Sequence, residues 1–248
     1  MVPAIPSGNA AGIAAAEPFW RRMADLSLSA LGLVLLFPLL AFMALALFIA
    51  DGRPVLFWQE RVGKGGAPFR IAKFRTMRTR RTPDSLITVD EDDRVTPLGR
   101  WLRRLKIDEL PQLWNVVRGE MSLIGPRPEV PKFVDLMHPL WREVLSVRPG
   151  ITDLASILYK DEAESLRGVA DPEAHYREWI LPKKLEWNRQ YMRDRSFRSD
   201  LLLLLVTVRY AFLPAGYSAE RVQCLFTSTP GASSQASLGI GAQDSRQR

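Results

Sequence analysis

Leu26-Ser27-Leu28-Ser29-Ala30-Leu31-Gly32-Leu33-Val34-Leu35-Leu36-Phe37-Pro38-Leu39-Leu40-Ala41-Phe42-Met43-Ala44-Leu45-Ala46-Leu47-Phe48-Ile49-Ala50 runs for 25 residues without a charged side chain, bounded by Asp25 and Asp51. As a straight helix it would extend about 37 Å, enough to cross a bilayer. Pro38 divides it into two stretches of 12 residues. Proline removes a backbone donor and disfavours helical geometry just before it, so a kink or break is expected there. Arg21 and Arg22 precede the run, and Arg53, Arg61 and Lys64 follow it. Positive charge at both ends favours placing both on the cytoplasmic side. A re-entrant helix-break-helix that enters one leaflet and returns satisfies that preference, with a kinked spanning helix as the competing reading. The run is too long and too far from Met1 for a cleaved signal peptide.

Outward from this segment, 248 residues suffice for one main domain with appendages, and 47% hydrophobic residues supply a core. Lys and Arg number 34 against 27 Asp and Glu, a net charge of +7 that favours an anionic partner. The single Cys224 excludes an internal disulfide framework and fits a reducing compartment. Residues 1–18 and most of 214–248 read as disordered, leaving 19–51 as the membrane segment and 52–213 as a cytoplasmic domain. Pro54–Trp58 and Phe69–Phe74 around the Gly63–Gly66 turn predict a short β-hairpin. Residues 79–97, with acidic Asp90–Asp93, read as a surface loop. Helical patterns follow at 97–105, 109–118, 130–146, 171–193 and 200–212. The fold class is therefore α+β and helix-rich. Leu201–Val208 is too short to span and reads either as a second membrane contact or as a core helix.

The chemistry concentrates in Lys106-Ile107-Asp108-Glu109-Leu110-Pro111-Gln112-Leu113-Trp114-Asn115. Proline in a first turn and Gly119 beyond bracket a short helix whose start carries adjacent carboxylates. Asp108 is either an ordinary N-cap or an ionised nucleophile facing a phosphate, with Arg103, Arg104 and Lys106 nearby. Glu109 could help hold magnesium, which takes carboxylate and phosphate oxygens. Residues 52–106 carry 14 basic side chains against 6 acidic ones. Such a run is a solvated face, a headgroup contact or a diphosphate site. Gly125-Pro126-Arg127-Pro128 and Arg148-Pro149-Gly150 each hold an arginine in a stiff turn. No GxxxxGK[ST] or GxGxxG motif occurs, and His138 and His175 lack metal-ligand spacing. The tryptophans Trp20, Trp101 and Trp141 suit a membrane interface or a core equally.

These segments resemble the bacterial sugar transferases, the monotopic polyprenyl-phosphate phosphoglycosyl transferases, over about residues 19–212. The carrying residues are Asp51–Gln59, Arg61–Gly63, Lys73–Met77, Leu102–Arg103, Asp108–Leu113, Asn115–Val116, Gly119–Pro128 and Arg148–Thr152. The resemblance implies transfer of a sugar phosphate from a UDP-sugar to undecaprenyl phosphate, releasing UMP, at the start of exopolysaccharide, O-antigen or glycoprotein glycan assembly. It implies a covalent phosphosugar on Asp108, with Glu109 completing the dyad and Mg2+ offsetting charge. Lys73, Arg75, Arg103, Arg127 and Arg148 match basic positions assigned to the two phosphates. It also implies a re-entrant helix broken at Pro38 and a catalytic domain on the cytoplasmic face of the inner membrane. Many members carry Ser-Pro at the break where this chain has Phe37-Pro38. After Arg148-Pro149-Gly150, this chain reads Ile151-Thr152-Asp153-Leu154-Ala155-Ser156 in place of a Gly-x-Ala-Gln pattern; if this segment contacts the sugar or base, relatives' specificity does not transfer.

Expected partners are thus the UDP-sugar, undecaprenyl phosphate and membrane lipids. Nucleic acid is disfavoured by the apolar run and by scarce aromatic interleaving in residues 70–81. A non-catalytic basic scaffold on acidic lipid or a partner protein is the alternative. The sequence leaves the oligomeric state open, a homodimer included.

Overall fold

The computed structural model describes residues 18–78, 93–159, 162, 166–167, 169–213 and 217–226. The acidic run at 90–92 and both chain ends lie outside these residues. Helix α1 spans Phe19–Asp51 and runs helically through Pro38, so the expected break does not interrupt it. The residue after it, Gly52, has φ 71° and donates its N–H to Phe48 O. A proline in an apolar helix removes one hydrogen bond, and neighbouring structure can carry that loss. Here the flanks of Pro38 rest on the rest of the chain. Gly32 lies against Leu113, and Met43 and Leu47 pack with Phe74, Leu102 and Ile107. The outer face of α1 leaves Val34, Leu35, Phe37, Phe42 and Ile49 exposed, as a lipid-facing helix requires.

Both ends of α1 are fastened to the same domain. Near its start, Arg22 donates to Val116 O (2.8 Å) and Val117 O (3.1 Å), and Asp25 accepts from Leu123 N–H at 3.1 Å. At its end, Asp51 Oδ2 accepts from Thr96 Oγ1 at 2.9 Å. The expected hairpin forms, with β1 (Leu56–Val62) antiparallel to β2 (Pro68–Phe74). Next come α2 (Pro97–Arg104), a 3-10 turn at Ile107–Gln112, and α3 (Leu113–Arg118). Gly99 lets α2 approach β2's exit, since a Cβ there would fall 2.2 Å from Thr76 O. Asn115 joins α3 to the hairpin: Oδ1 accepts from Ala72 N–H at 3.0 Å, and Nδ2 donates to Arg70 O at 2.8 Å.

The parallel pair β3 (Ser122–Ile124) and β4 (Gly150–Thr152) escaped the sequence reading, being three residues each. Gly125 and Gly150 pass so closely that a Cβ on Gly150 would meet Gly125 N at 2.1 Å. The helix expected over 130–146 is only a 3-10 turn, Pro131–Phe133, and α4 (Pro139–Val144), because Pro131 and Pro139 each restart the chain. Then follow α5 (Leu154–Leu158) and α6 (Pro172–His175), which continues through a π-helical stretch, Tyr176–Ile180, into α7 (Leu181–Arg193). Helix α8 (Phe197–Phe212) packs one face of the Leu201–Val208 stretch into the core, with Leu203 and Val206 buried, and leaves Leu201, Leu205 and Val208 exposed. Helix α9 (Ala219–Phe226) belongs to the packed domain rather than to a disordered tail, because Val222 is buried and Phe226 meets the Tyr191 ring edge-on.

Candidate active site

The carboxylate pair sits in the first turn of the 3-10 segment Ile107–Gln112. Its entry residue, Lys106, has φ 57°, a left-handed conformation that costs a non-glycine residue about 1 kcal/mol. That turn sets Asp108 and Glu109 against the end of β2, and both are buried. Asp108 is not an N-cap: Lys106 holds that position, and Asp108 Oδ1 is buried with no hydrogen-bond partner.

Glu109 is fully engaged. Its Oε1 accepts from Lys73 Nζ at 2.9 Å and Arg127 Nη2 at 2.5 Å, while Oε2 takes Arg127 Nη1 at 3.5 Å. Burial alone would raise the Glu109 pKa, but the Arg127 and Lys73 cations outweigh it and hold the carboxyl well below the usual range. Asp108 goes the other way. Burial, and then the Glu109 charge beside it, push it up to about 6 against the pull of Lys73, Lys106 and Arg103. Burial draws Lys73 down to about 8 despite Glu109. Arg127 is held charged by Glu109, its pKa raised. Two adjacent carboxyls thus have opposite environments, one clamped as an anion and one open to a new partner.

Arg127 is aimed by a network that sequence reading missed. Arg61 Nη1 donates to Pro128 O at 3.1 Å, and Val62 N–H donates to Glu129 O at 2.9 Å. Tyr176 OH donates to Glu129 Oε1 at 2.6 Å. Burial, then Glu129, raises the Tyr176 pKa, so the phenol stays a donor. Nothing in Glu129 or Tyr176 alone could have signalled this link, since they lie 47 positions apart.

Of the other basic residues singled out, Arg103 lies within electrostatic reach of Asp108, its Nε bonded to Thr76 Oγ1 at 2.7 Å. Arg75 is not brought to the carboxylates. It donates to the carbonyls of Asp51, Gly52 and Arg53 and so holds the end of α1. Arg148 Nε donates to Gly119 O at 3.0 Å, bracing the turn after α3. No group of three His, Cys, Asp or Glu among the described residues is placed to hold a metal ion. A divalent cation at the dyad would need substrate oxygens or water to complete its shell, as magnesium accepts.

The model of the family described as "Bacterial sugar transferase" matches residues 16–213. A UDP-glucose:undecaprenyl-phosphate glucose-1-phosphate transferase of Caulobacter vibrioides is 40% identical over 192 residues, covering 76% of this chain and 68% of that protein. An undecaprenyl-phosphate glucose phosphotransferase of Komagataeibacter xylinus is 46% identical over 197 residues, 76% of this chain and 35% of its own length. A UDP-N-acetylgalactosamine-undecaprenyl-phosphate N-acetylgalactosaminephosphotransferase of Aeromonas hydrophila is 36% identical, over 77% of this chain and 43% of that one. The chain therefore spans less than half the length of the last two relatives. The match includes the apolar helix, the hairpin and the buried carboxylate pair alike, and the chain belongs to the bacterial sugar transferase family, an enzyme of that class.

Proposed function

We propose that the protein transfers a sugar 1-phosphate from a UDP-sugar to undecaprenyl phosphate and releases UMP, with Asp108 as the nucleophile. The observation that carries this reading is the buried, unbonded Oδ1 of Asp108 beside a Glu109 already neutralised by Lys73 and Arg127. An orphaned carboxylate oxygen is costly to bury, and a fold keeps one where a ligand meets it. Relatives whose names state sugar-phosphate transfer to undecaprenyl phosphate support the substrate classes.

In the first step an Asp108 carboxylate oxygen attacks the sugar-bearing phosphorus. The bond from that phosphorus to the bridging oxygen breaks, and UMP leaves with the electron pair. In the second step a phosphate oxygen of the lipid attacks the same phosphorus and returns the carboxylate. On this reading Lys73 and Arg127, held by Glu109, supply the positive charge that the transferring phosphoryl group meets. Of the dyad, Asp108 has the oxygen open to magnesium, while those of Glu109 are taken by Lys73 and Arg127; a bound ion would complete its shell from substrate and water oxygens and supply charge neutralisation at the diphosphate.

Although Pro38 does not break α1, the fastening of both helix ends to one domain favours a monotopic placement with both ends on one membrane face. Arg22 and Asp51 bracket the apolar run, yet both bond to the same packed body, which a helix crossing to the far side would prevent. On this reading the domain sits on the cytoplasmic leaflet. UMP release from a panel of UDP-sugars, with and without undecaprenyl phosphate and Mg2+, tests the function. Lipid-dependent UMP from at least one donor, lost in Asp108→Asn, is expected. No UMP from any donor by folded protein, or full activity in Asp108→Asn, would overturn it.

A further inference from the structure

Asp153 occupies the N-cap of α5, where an aspartate ordinarily accepts from the helix's own N–H groups. Here the side chain makes no cap bond. It is 2% exposed, and among the described residues it is the carboxylate with both oxygens buried and unbonded. Ser156 Oγ, three residues on, is likewise buried without a partner. Apart from the nucleophile candidate Asp108, with one orphaned oxygen, the other buried carboxylates here find donors: Asp200 accepts from Tyr191 and Arg195, and Glu129 from Tyr176. An unmet buried carboxylate is among the costlier things a fold can keep.

Its placement joins it to the transfer site. Ile124 pairs with Thr152 across the parallel β3–β4 pair, and Gly125 N–H donates to Thr152 O at 3.1 Å. From those adjacent strand ends one chain runs on to Arg127 and the other to Asp153. The Asp153 charge acts on the Arg127 guanidinium, yet no hydrogen bond joins them. Arg127 thus has Glu109 as a bonded partner and Asp153 as an unbonded neighbour.

Chemistry narrows what can meet those two oxygens. A phosphate would be repelled by the carboxylate. A divalent cation lacks a cluster of three protein ligands here, among the described residues. What remains is a hydrogen-bond donor carried by the substrate. We propose that Asp153 accepts hydrogen bonds from a hydroxyl of the donor nucleotide sugar and thereby sets which donor the site takes. The inference rests on the proposed function. The hydroxyl belongs either to the transferred sugar or to the ribose, two sources of one chemistry.

The test measures kcat/KM for nucleoside monophosphate release by the full-length protein in detergent, with undecaprenyl phosphate and Mg2+. Wild type and Asp153→Asn are compared on the best UDP-sugar, on its single-deoxy sugar analogues, and on 2′-deoxy and 3′-deoxyuridine donors. A lost hydrogen bond to a charged acceptor corresponds to about 10- to 100-fold in kcat/KM. The expected result is that fall for the intact donor, together with one analogue on which wild type and variant are equal. A deoxy-sugar analogue behaving so assigns the hydroxyl to the sugar, and a deoxyuridine donor assigns it to the ribose. A fall of the same size on every donor, or no fall on any, overturns the inference while wild-type activity leaves the transferase reading intact. A wild type inactive on all donors overturns both. If Asp153→Asn does not fold, Asp153→Ser, smaller and still an oxygen acceptor, runs the same comparison.

Discussion

Replacing Arg127 by Met removes both bonds from its guanidinium to Glu109 and leaves that buried carboxylate with Lys73 alone, at 2.9 Å. Removing one member of a buried ion pair costs about 3–5 kcal/mol, because the other charge stays desolvated. The Arg127 side chain is 29% exposed and Lys73 still faces Glu109, so the lower end, about 3 kcal/mol, applies. For a domain of this size that is a fall of about 6–12 °C in Tm. Glu109→Gln should cost a similar amount, since it leaves two cations facing each other. The double variant Arg127→Met/Glu109→Gln removes the pair together and should recover about 2 kcal/mol relative to the sum of the singles. Tryptophan-fluorescence melting of the detergent-solubilised protein reads this, with UMP release in parallel. Loss of Arg127 should also lower kcat by about 100-fold or more, as for removal of a charge-stabilising donor. Strict additivity of the two substitutions, or a wild-type Tm for Arg127→Met, would refute the clamp.

Asp108→Asn should abolish transfer yet raise Tm in metal-free buffer at pH 8. The folded pKa of Asp108, about 6, exceeds its ordinary 3.8, so its charge destabilises the fold above pH 6, by about 3 kcal/mol, and that cost disappears as pH falls toward 4. A Tm gain equally large at pH 4 would contradict this. UMP release should follow a bell-shaped pH profile, rising as Asp108 ionises near pH 6 and falling as Lys73 loses its proton near pH 8. A profile flat from pH 5 to 9 would count against both assignments. Arg75→Ala should lower Tm, because it frees three carbonyls at the end of α1, without changing KM for the UDP-sugar. A several-fold rise in KM would return Arg75 to the substrate. Gly150→Ala should destabilise by more than about 3 kcal/mol or prevent folding, since its Cβ would meet backbone at 2.1 Å. Normal melting of that variant would be inconsistent with the β3–β4 contact.

The membrane helix, the hairpin and the carboxylate pair were legible because each rests on local pattern. An uncharged run, alternating residues around a glycine turn, and paired acids before a proline need no distant partner to be read. What stayed hidden is non-local. Asn115 acts as a surrogate strand beside β2, and Tyr176 holds the Glu129 that steadies Arg127, contacts that only tertiary packing creates. The basic residues show the same division. The family resemblance grouped Lys73, Arg75, Arg103, Arg127 and Arg148, but packing directs Lys73 and Arg127 to Glu109 while Arg75 and Arg148 bond backbone carbonyls. Asp25 and Asp51, which bound the apolar run, are also anchors that tie it to the domain.

The most direct measurement is intact-protein mass spectrometry with quantified UMP release, on wild type mixed with a UDP-sugar it uses and Mg2+ but no lipid acceptor. The expected result is about one equivalent of UMP, a matching mass gain of one sugar phosphate on the peptide carrying Asp108, and loss of that adduct on adding undecaprenyl phosphate. An enzyme that is active with lipid yet yields neither UMP nor adduct without it would contradict Asp108 as a covalent nucleophile.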